Sequence, residues 1–287
     1  MMLQKKLLIL SLLLANISFS QNVEQSLLWK ISGKGLKEPS YVFGTFHMMC
    51  KDQFQITQPM EDALTSSKKY YGELDMDDPN MPENMMKFAK LKDGKTIDNY
   101  MDPKEFAALD KKYQTVTGMS LMLLKQYKPF LGMSFLILKT VPCTATVQPE
   151  TELMHLAQKK QIEVLGLETI EQQMNLLNNE PIDSQLAAMR KMVNNFDSSK
   201  QVMQALTKLY LKKDVDALYQ FMKETGVNDN FESTMLIKRN KNWIPKMKKA
   251  MKESPSFFAV GAGHLGGKTG VLALLRKKGY KLEPIQY

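Results

Sequence analysis

Apolar residues follow two patterns along this chain. Near both ends they form short β-prone runs; between the ends they recur three or four residues apart. SLLWKIS (26–32) and SYVFGTFH (40–47) flank the turn-rich GKGLKEP, which predicts a β-hairpin. KKYYGELDM (68–76) and IEVLGLE (162–168) predict two more strands. At the other end a strand over 257–260, a glycine corner, a helix over 268–278 and a strand over 281–286 form a closing β-α-β unit. The middle reads as helix: 59–67, 82–91, 102–116, 120–141 with a break at Pro129, 150–161, a helix from Thr169, and nearly all of 182–253. Neither end could bury its apolar faces alone. The pattern therefore predicts an α/β fold with a mixed β-sheet built from both chain ends, flanked by helices, with a large helical middle region.

The first twenty residues do not belong to that pattern. Lys5 and Lys6 precede an apolar run from Leu7 to Ile17, and the segment ends in Ser18-Phe19-Ser20. Basic start, short apolar run and small residues at the end describe a secretory signal peptide. The run is too short for the roughly twenty residues that span a bilayer. The expected mature protein begins near Gln21 and is exported, periplasmic or secreted, with no membrane span after cleavage. Net charge is +9, but lysines alternate with acids along helices and no arginine-rich arm stands out, so nucleic acid is not an expected partner. Cys50 and Cys143 are the two cysteines. In an oxidising compartment an even count permits a bridge; two separate thiols are the alternative, and Cys50, three residues after His47, is also a candidate metal ligand.

Candidate chemistry begins with histidine. The chain has three, and glycine is only 15 of 287 residues. Yet His47 and His264 each end an apolar run with glycine three residues earlier, in GTFH and GAGH. Two such strands side by side would point two imidazoles into one cleft, and a carboxylate beside them would complete a divalent-metal site with positions open for water or substrate. The plainer alternative is two strand-end histidines satisfied by backbone hydrogen bonds. Glu73 lies in an apolar strand, with Asp75 on the same face; Glu73 either completes the site or faces solvent beside Lys68. Glu168 ends another apolar strand, where a following helix dipole alone would favour it. Arg239 reads as a surface residue of a lysine-rich helix or as a site cation. His155, between Met154 and Leu156, reads as structural.

Together, SLLWKISGKGLKEPSYVFGTFHMMC, YYGELDM, ETELMHLAQKKQIEVLGLETIEQQ, RNKNW and FFAVGAGHLGGKTGVLALLRKKGYKLEPI resemble the TraB/GumN family, to which the Tiki metalloproteases are related. The resemblance covers nearly all of the chain after the leader and implies one domain over 21–287, with helical insertions at roughly 80–140 and 181–253. It implies a divalent-metal hydrolase site with His47, His264 and Glu73 as ligands, and catalytic roles for Glu73, Glu168 and Arg239. Manganese, cobalt or zinc are the implied ions, and a peptide or small molecule the implied substrate. Distant haem- and iron-binding relatives imply an alternative, a protein that sequesters a peptide, metal or haem. Where relatives often carry Ser-Tyr-Glu this chain has Gln148-Pro149-Glu150, which sets Glu150 apart from the family pattern.

Overall fold

The computed structural model describes residues 25–225 and 232–287; the expected leader lies outside them. The described strands are β1 (Leu28–Ser32), β2 (Ser40–Thr45), β3 (Met49–Cys50), β4 (Lys69–Gly72), β5 (Thr146–Val147), β6 (Glu163–Gly166), β7 (Ser256–Gly261) and β8 (Lys281–Ile285). Six of them make one sheet in the order β6-β4-β7-β2-β1-β8, and β3 pairs with β5 in a small separate ribbon. β6, β4, β7 and β2 run parallel to one another, whereas β1 is antiparallel to both β2 and β8. Both chain ends therefore do share one sheet. β7, the last strand of the parallel block to enter in sequence, lies between β2 and β4. Its first five residues are all buried, as expected of a central parallel strand covered on both faces.

The described helices are α1 (Gln58–Thr65), α2 (Met81–Ala89), α3 (Pro103–Thr117), α4 (Pro129–Leu138), α5 (Pro149–Lys159), α6 (Ile170–Asn178), α7 (Ile182–Asn194), α8 (Phe196–Leu211), α9 (Val215–Thr225), α10 (Arg239–Glu253) and α11 (Val271–Lys277). Proline occupies the first helical turn of α1 to α5, where its missing N–H would be unpaired anyway. Pro129 thus begins α4 rather than interrupting a longer helix, and a short 3₁₀ turn at Leu121–Leu124 precedes it. One apolar cluster packs around the sheet, centred on Phe43, Phe257, Phe258 and Trp243. A second joins Phe106, Tyr113, Leu121, Leu136, Leu186 and Met189 among α3, α4 and α7. Among the described residues no helix is long and apolar enough to cross a membrane.

Three boundaries differ from the sequence pattern. β4 stops at Gly72 and β6 at Gly166, so Glu73, Asp75 and Glu168 lie just past the strands rather than on them. The closing helix starts at Val271, not near Lys268. The intervening chain folds back so tightly that a Cβ on Gly270 would lie 2.1 Å from the carbonyl oxygen of Gly266.

Candidate active site

All four parallel strands end at one edge of the sheet, and each delivers a polar residue there. Thr45 closes β2 opposite Gly261 of β7, with His47 two residues on. Glu73 follows β4 directly. The β4–β6 ladder continues past the strands, with Leu167 N–H donating to the Gly72 carbonyl and Glu168 N–H to the Glu73 carbonyl, both at 2.9 Å. Glu73 and Glu168 are therefore laid side by side. Carboxyl ends of parallel strands are where open α/β sheets place their ligands, because the strands stop there and the loops diverge.

Arg239 joins the two acids. It is 4% exposed and every guanidinium N–H has an acceptor. Nε donates to Glu168 Oε1 at 2.9 Å, Nη1 to the Met235 carbonyl at 3.2 Å and to His264 Nε2 at 3.1 Å. Nη2 donates to Glu168 Oε1 at 2.6 Å and to Glu73 Oε2. The surface alternative for Arg239 therefore fails, as does a solvent-facing pairing of Glu73 with Lys68. A π-helical turn at Glu232–Lys238 precedes Arg239; such wide turns re-aim side chains and recur at functional positions. Trp243, one turn on, donates Nε1–H to Glu168 Oε2 at 3.2 Å and lies beneath the guanidinium, 4.8 Å from ring centre to Cζ. Gln173 of α6 donates to Glu168 at 3.1 Å.

His264 is 4% exposed. Asn240 gives its amide N–H groups to the carbonyls of His264 and Thr269, so its Oδ1 must accept the 2.7 Å bond from His264 Nδ1. That leaves the Nε2 lone pair to accept from Arg239. Burial, reinforced by the neighbouring Arg239 and His47 charges and only partly offset by Glu73, depresses His264 to about 3, so the ring is neutral. Burial alone would raise Glu73, but Arg239, His264, His47 and the Gly261 N–H hold it down at about 2. That N–H donates to Glu73 Oε1 at 2.8 Å. A Cβ on Gly261 would stand 3.2 Å from the same oxygen. Gly261 has φ −51, open to any residue, so its importance is close approach and not a left-handed turn; in the glycine corner the left-handed backbone belongs to Gly267.

His47 stands at the rim with its side chain 80% exposed. Its Nδ1 lies 3.2 Å from Glu150 Oε1, and the Thr45 hydroxyl donates to that oxygen at 2.6 Å. The Glu150 charge and hydrogen bond raise His47 to about 9. Replacing Glu150 with glutamine removes the charge that favours the imidazolium, so the midpoint should fall from about 9 toward the ordinary 6.5. NMR titration of the metal-free protein reads this directly, and an unmoved midpoint would contradict the pairing.

Not every expected residue joins the cluster. Asp75 sits instead with Asp77 and Asp78; burial and the Asp77 carboxylate push it up to about 6. His155 lies on the exposed face of α5, not in the core. His264 Nε2 and Glu73 Oε1 are 3.7 Å apart, but His47 is turned to Glu150, and no group of three His, Cys, Asp or Glu side chains among the described residues stands close enough to hold a metal ion. The departure from the family pattern at 148–150 gave Glu150 no expected role, yet it holds His47; Thr45, Asn240, Trp243 and Gln173 were not singled out from sequence. Trp243 alone had a local signal, its i+4 spacing from Arg239. Cys50 and Cys143 are bridged, with Cα atoms 5.8 Å apart, so neither is a metal ligand or a free thiol.

Neither a curated protein nor a solved structure matches the chain. The model of the TraB/PrgY/gumN family matches residues 27–284. That span takes in all four strand ends and every side chain of the cluster, and the chain belongs to the TraB/PrgY/gumN family.

Proposed function

We propose that the strand-end cluster is the centre of an exported, divalent-metal-dependent hydrolase acting on peptides. The observation that carries this reading is how the two GxxH histidines are held. His264 and His47 each have Nδ1 on a side-chain oxygen, of Asn240 and Glu150 respectively, so Nε2 is the nitrogen turned toward the site, where at His264 an ion would take the place of the Arg239 N–H. Metal-binding histidines are oriented in this way, their other nitrogen fixed by a carboxylate or carbonyl. A second support is charge. Glu73 and Glu168 share one guanidinium beside a neutral imidazole, an excess of negative charge in a buried place that favours a cation.

The donor set fits a divalent ion in type, with Glu73 and His264 as ligands and His47 joining through Nε2. When bound, such an ion polarises a carbonyl and acidifies water. The chain's own residues hold the geometry. Arg239, with all its donors engaged, positions both carboxylates and has no N–H left for a developing oxyanion. Glu150 holds the His47 proton at Nδ1, and the Nε2 proton must leave before that nitrogen can ligate, so ion binding should strengthen as pH rises. The Cys50–Cys143 bridge supports export, since such bonds persist in oxidising compartments.

One observation favours the second reading, a binding protein without turnover: Arg239 bonds both Glu73 and His264, the side chains an ion would need. Metal analysis of protein purified without chelator, followed by incubation of a peptide library with added manganese, separates the two. Hydrolysis predicts bound ion and cleaved peptides, with both lost by more than about 100-fold in Glu73→Gln and His264→Ala, since even residues that only orient a ligand cost 10–100-fold. Peptides recovered intact on metal-free protein would establish sequestration.

A further inference from the structure

Beside the strand-end cluster lies a cleft of about 590 Å³ between α6 and α10. Glu168 and Arg239 line it and also contact Glu73 and His264, so its inner end and the cluster share residues. One wall carries Gln172 and Asn175 from a single face of α6 and Asn179, its C-cap. The other carries Lys238, Lys241 and Lys246, with Asn242 and Pro245 between them. Lys246 donates to the Leu167 carbonyl at 2.6 Å; Lys238 and Lys241 are exposed. Four cations thus line the cleft against one carboxylate, Glu168, which Arg239 and Trp243 already occupy. Pro245 has no N–H to offer the Lys241 carbonyl one turn earlier, so that cleft residue has an acceptor without its usual helical donor.

We propose that the α6–α10 cleft is the subsite for an acidic segment of a peptide ligand, whose remaining length reaches the strand ends. The lysines match carboxylates, and side-chain amides, which both donate and accept, match the peptide backbone. The subsite rests on the reading of the cluster as one that takes peptides, and it narrows that class to peptides with Asp or Glu to one side of the handled bond.

The test is fluorescence anisotropy on the full mature chain with a short labelled peptide rich in Asp and Glu, and its Asn/Gln counterpart. The wild type should bind the acidic peptide about tenfold more tightly, a modest sum of two or three exposed charge contacts. Lys238→Gln/Lys241→Gln should reduce that preference to about twofold. Lys249→Gln/Lys252→Gln, on the same helix outside the cleft and with the same net charge, should keep it. No acidic preference in the wild type, or equal loss in both double variants, overturns the subsite. The readout does not require turnover. Acidic preference in a protein that cleaves nothing upholds the subsite and removes the hydrolase reading; cleavage without acidic preference removes the subsite alone.

Discussion

Replacing Arg239 with alanine should lower the unfolding free energy by about 3–5 kcal/mol at neutral pH, the usual result of removing one partner from a buried ion pair. Glu73 and Glu168 would remain, 10% and 7% exposed at their side chains, without the cation that holds them. The pH dependence identifies the cause. In the native protein Glu73 is held at about 2, below its ordinary 4.5. It therefore contributes stability that is present above about 4.5 and lost as pH falls toward 2. Without Arg239, burial acts largely alone and raises the carboxyl, so protonation relieves the variant. The deficit should be largest near neutrality and shrink as pH falls through the variant's raised carboxyl, starting already above 4.5. Urea unfolding of both proteins at neutral pH and at about pH 4 measures it; an equal deficit at the two would mean lost packing, not stranded carboxylates. Lysine at 239 should recover only part of the loss, because a single ammonium cannot reproduce a fork that serves Glu73 and Glu168 together.

The second large effect should come from the bridge. Cys50 and Cys143 are 93 residues apart in sequence, and closing so long a loop restricts the unfolded chain strongly. Cys50→Ser/Cys143→Ser should cost about 2–4 kcal/mol, the common range for native bridges. It should also reach the site. His47 lies three residues before Cys50, and Glu150 seven after Cys143. Otherwise their segments are joined by the two-residue strands β3 and β5, by the Lys51 N–H on the Ala145 carbonyl and by the Thr45 hydroxyl on Glu150. The variant, still folded, should therefore show the His47 midpoint moved from about 9 toward 6.5. An unchanged midpoint would show that the ribbon holds the pair without help.

Several features were legible along the chain because their cause is local. Alternating and continuous apolar runs marked β1, β2, β7 and β8, since burial on a sheet imposes that pattern within a few residues. Proline near the start marked α2 and α3, because the first turn of a helix tolerates its missing N–H; Pro129 reads as a break from sequence but opens α4. The repeated GxxH drew attention to His47 and His264, and the acids near strand ends to Glu73 and Glu168.

Other features depended on partners far away. Arg239 sits among lysines in RNKNWIPKMKK, and nothing in that stretch distinguishes a buried guanidinium from a solvated one. Its burial follows from Glu73, 166 residues away, and Glu168, 71 away, which make a desolvated cation tolerable. Glu150, in the first turn of α5, stands where the chain departs from the family pattern, which gave it no expected role. It became a site residue only because the β3–β5 ribbon and the bridge bring it to His47, 103 residues earlier. The sequence by itself determined where most strands and helices lie, though not their exact ends or the β3–β5 ribbon, and which side chains have reactive chemistry. Only the tertiary structure decided which charges are buried, which nitrogen of each histidine is held, and which acid meets which cation. Hydropathy and propensity act over neighbouring residues, whereas Coulomb and hydrogen-bond energies depend on distances that the chain acquires on folding.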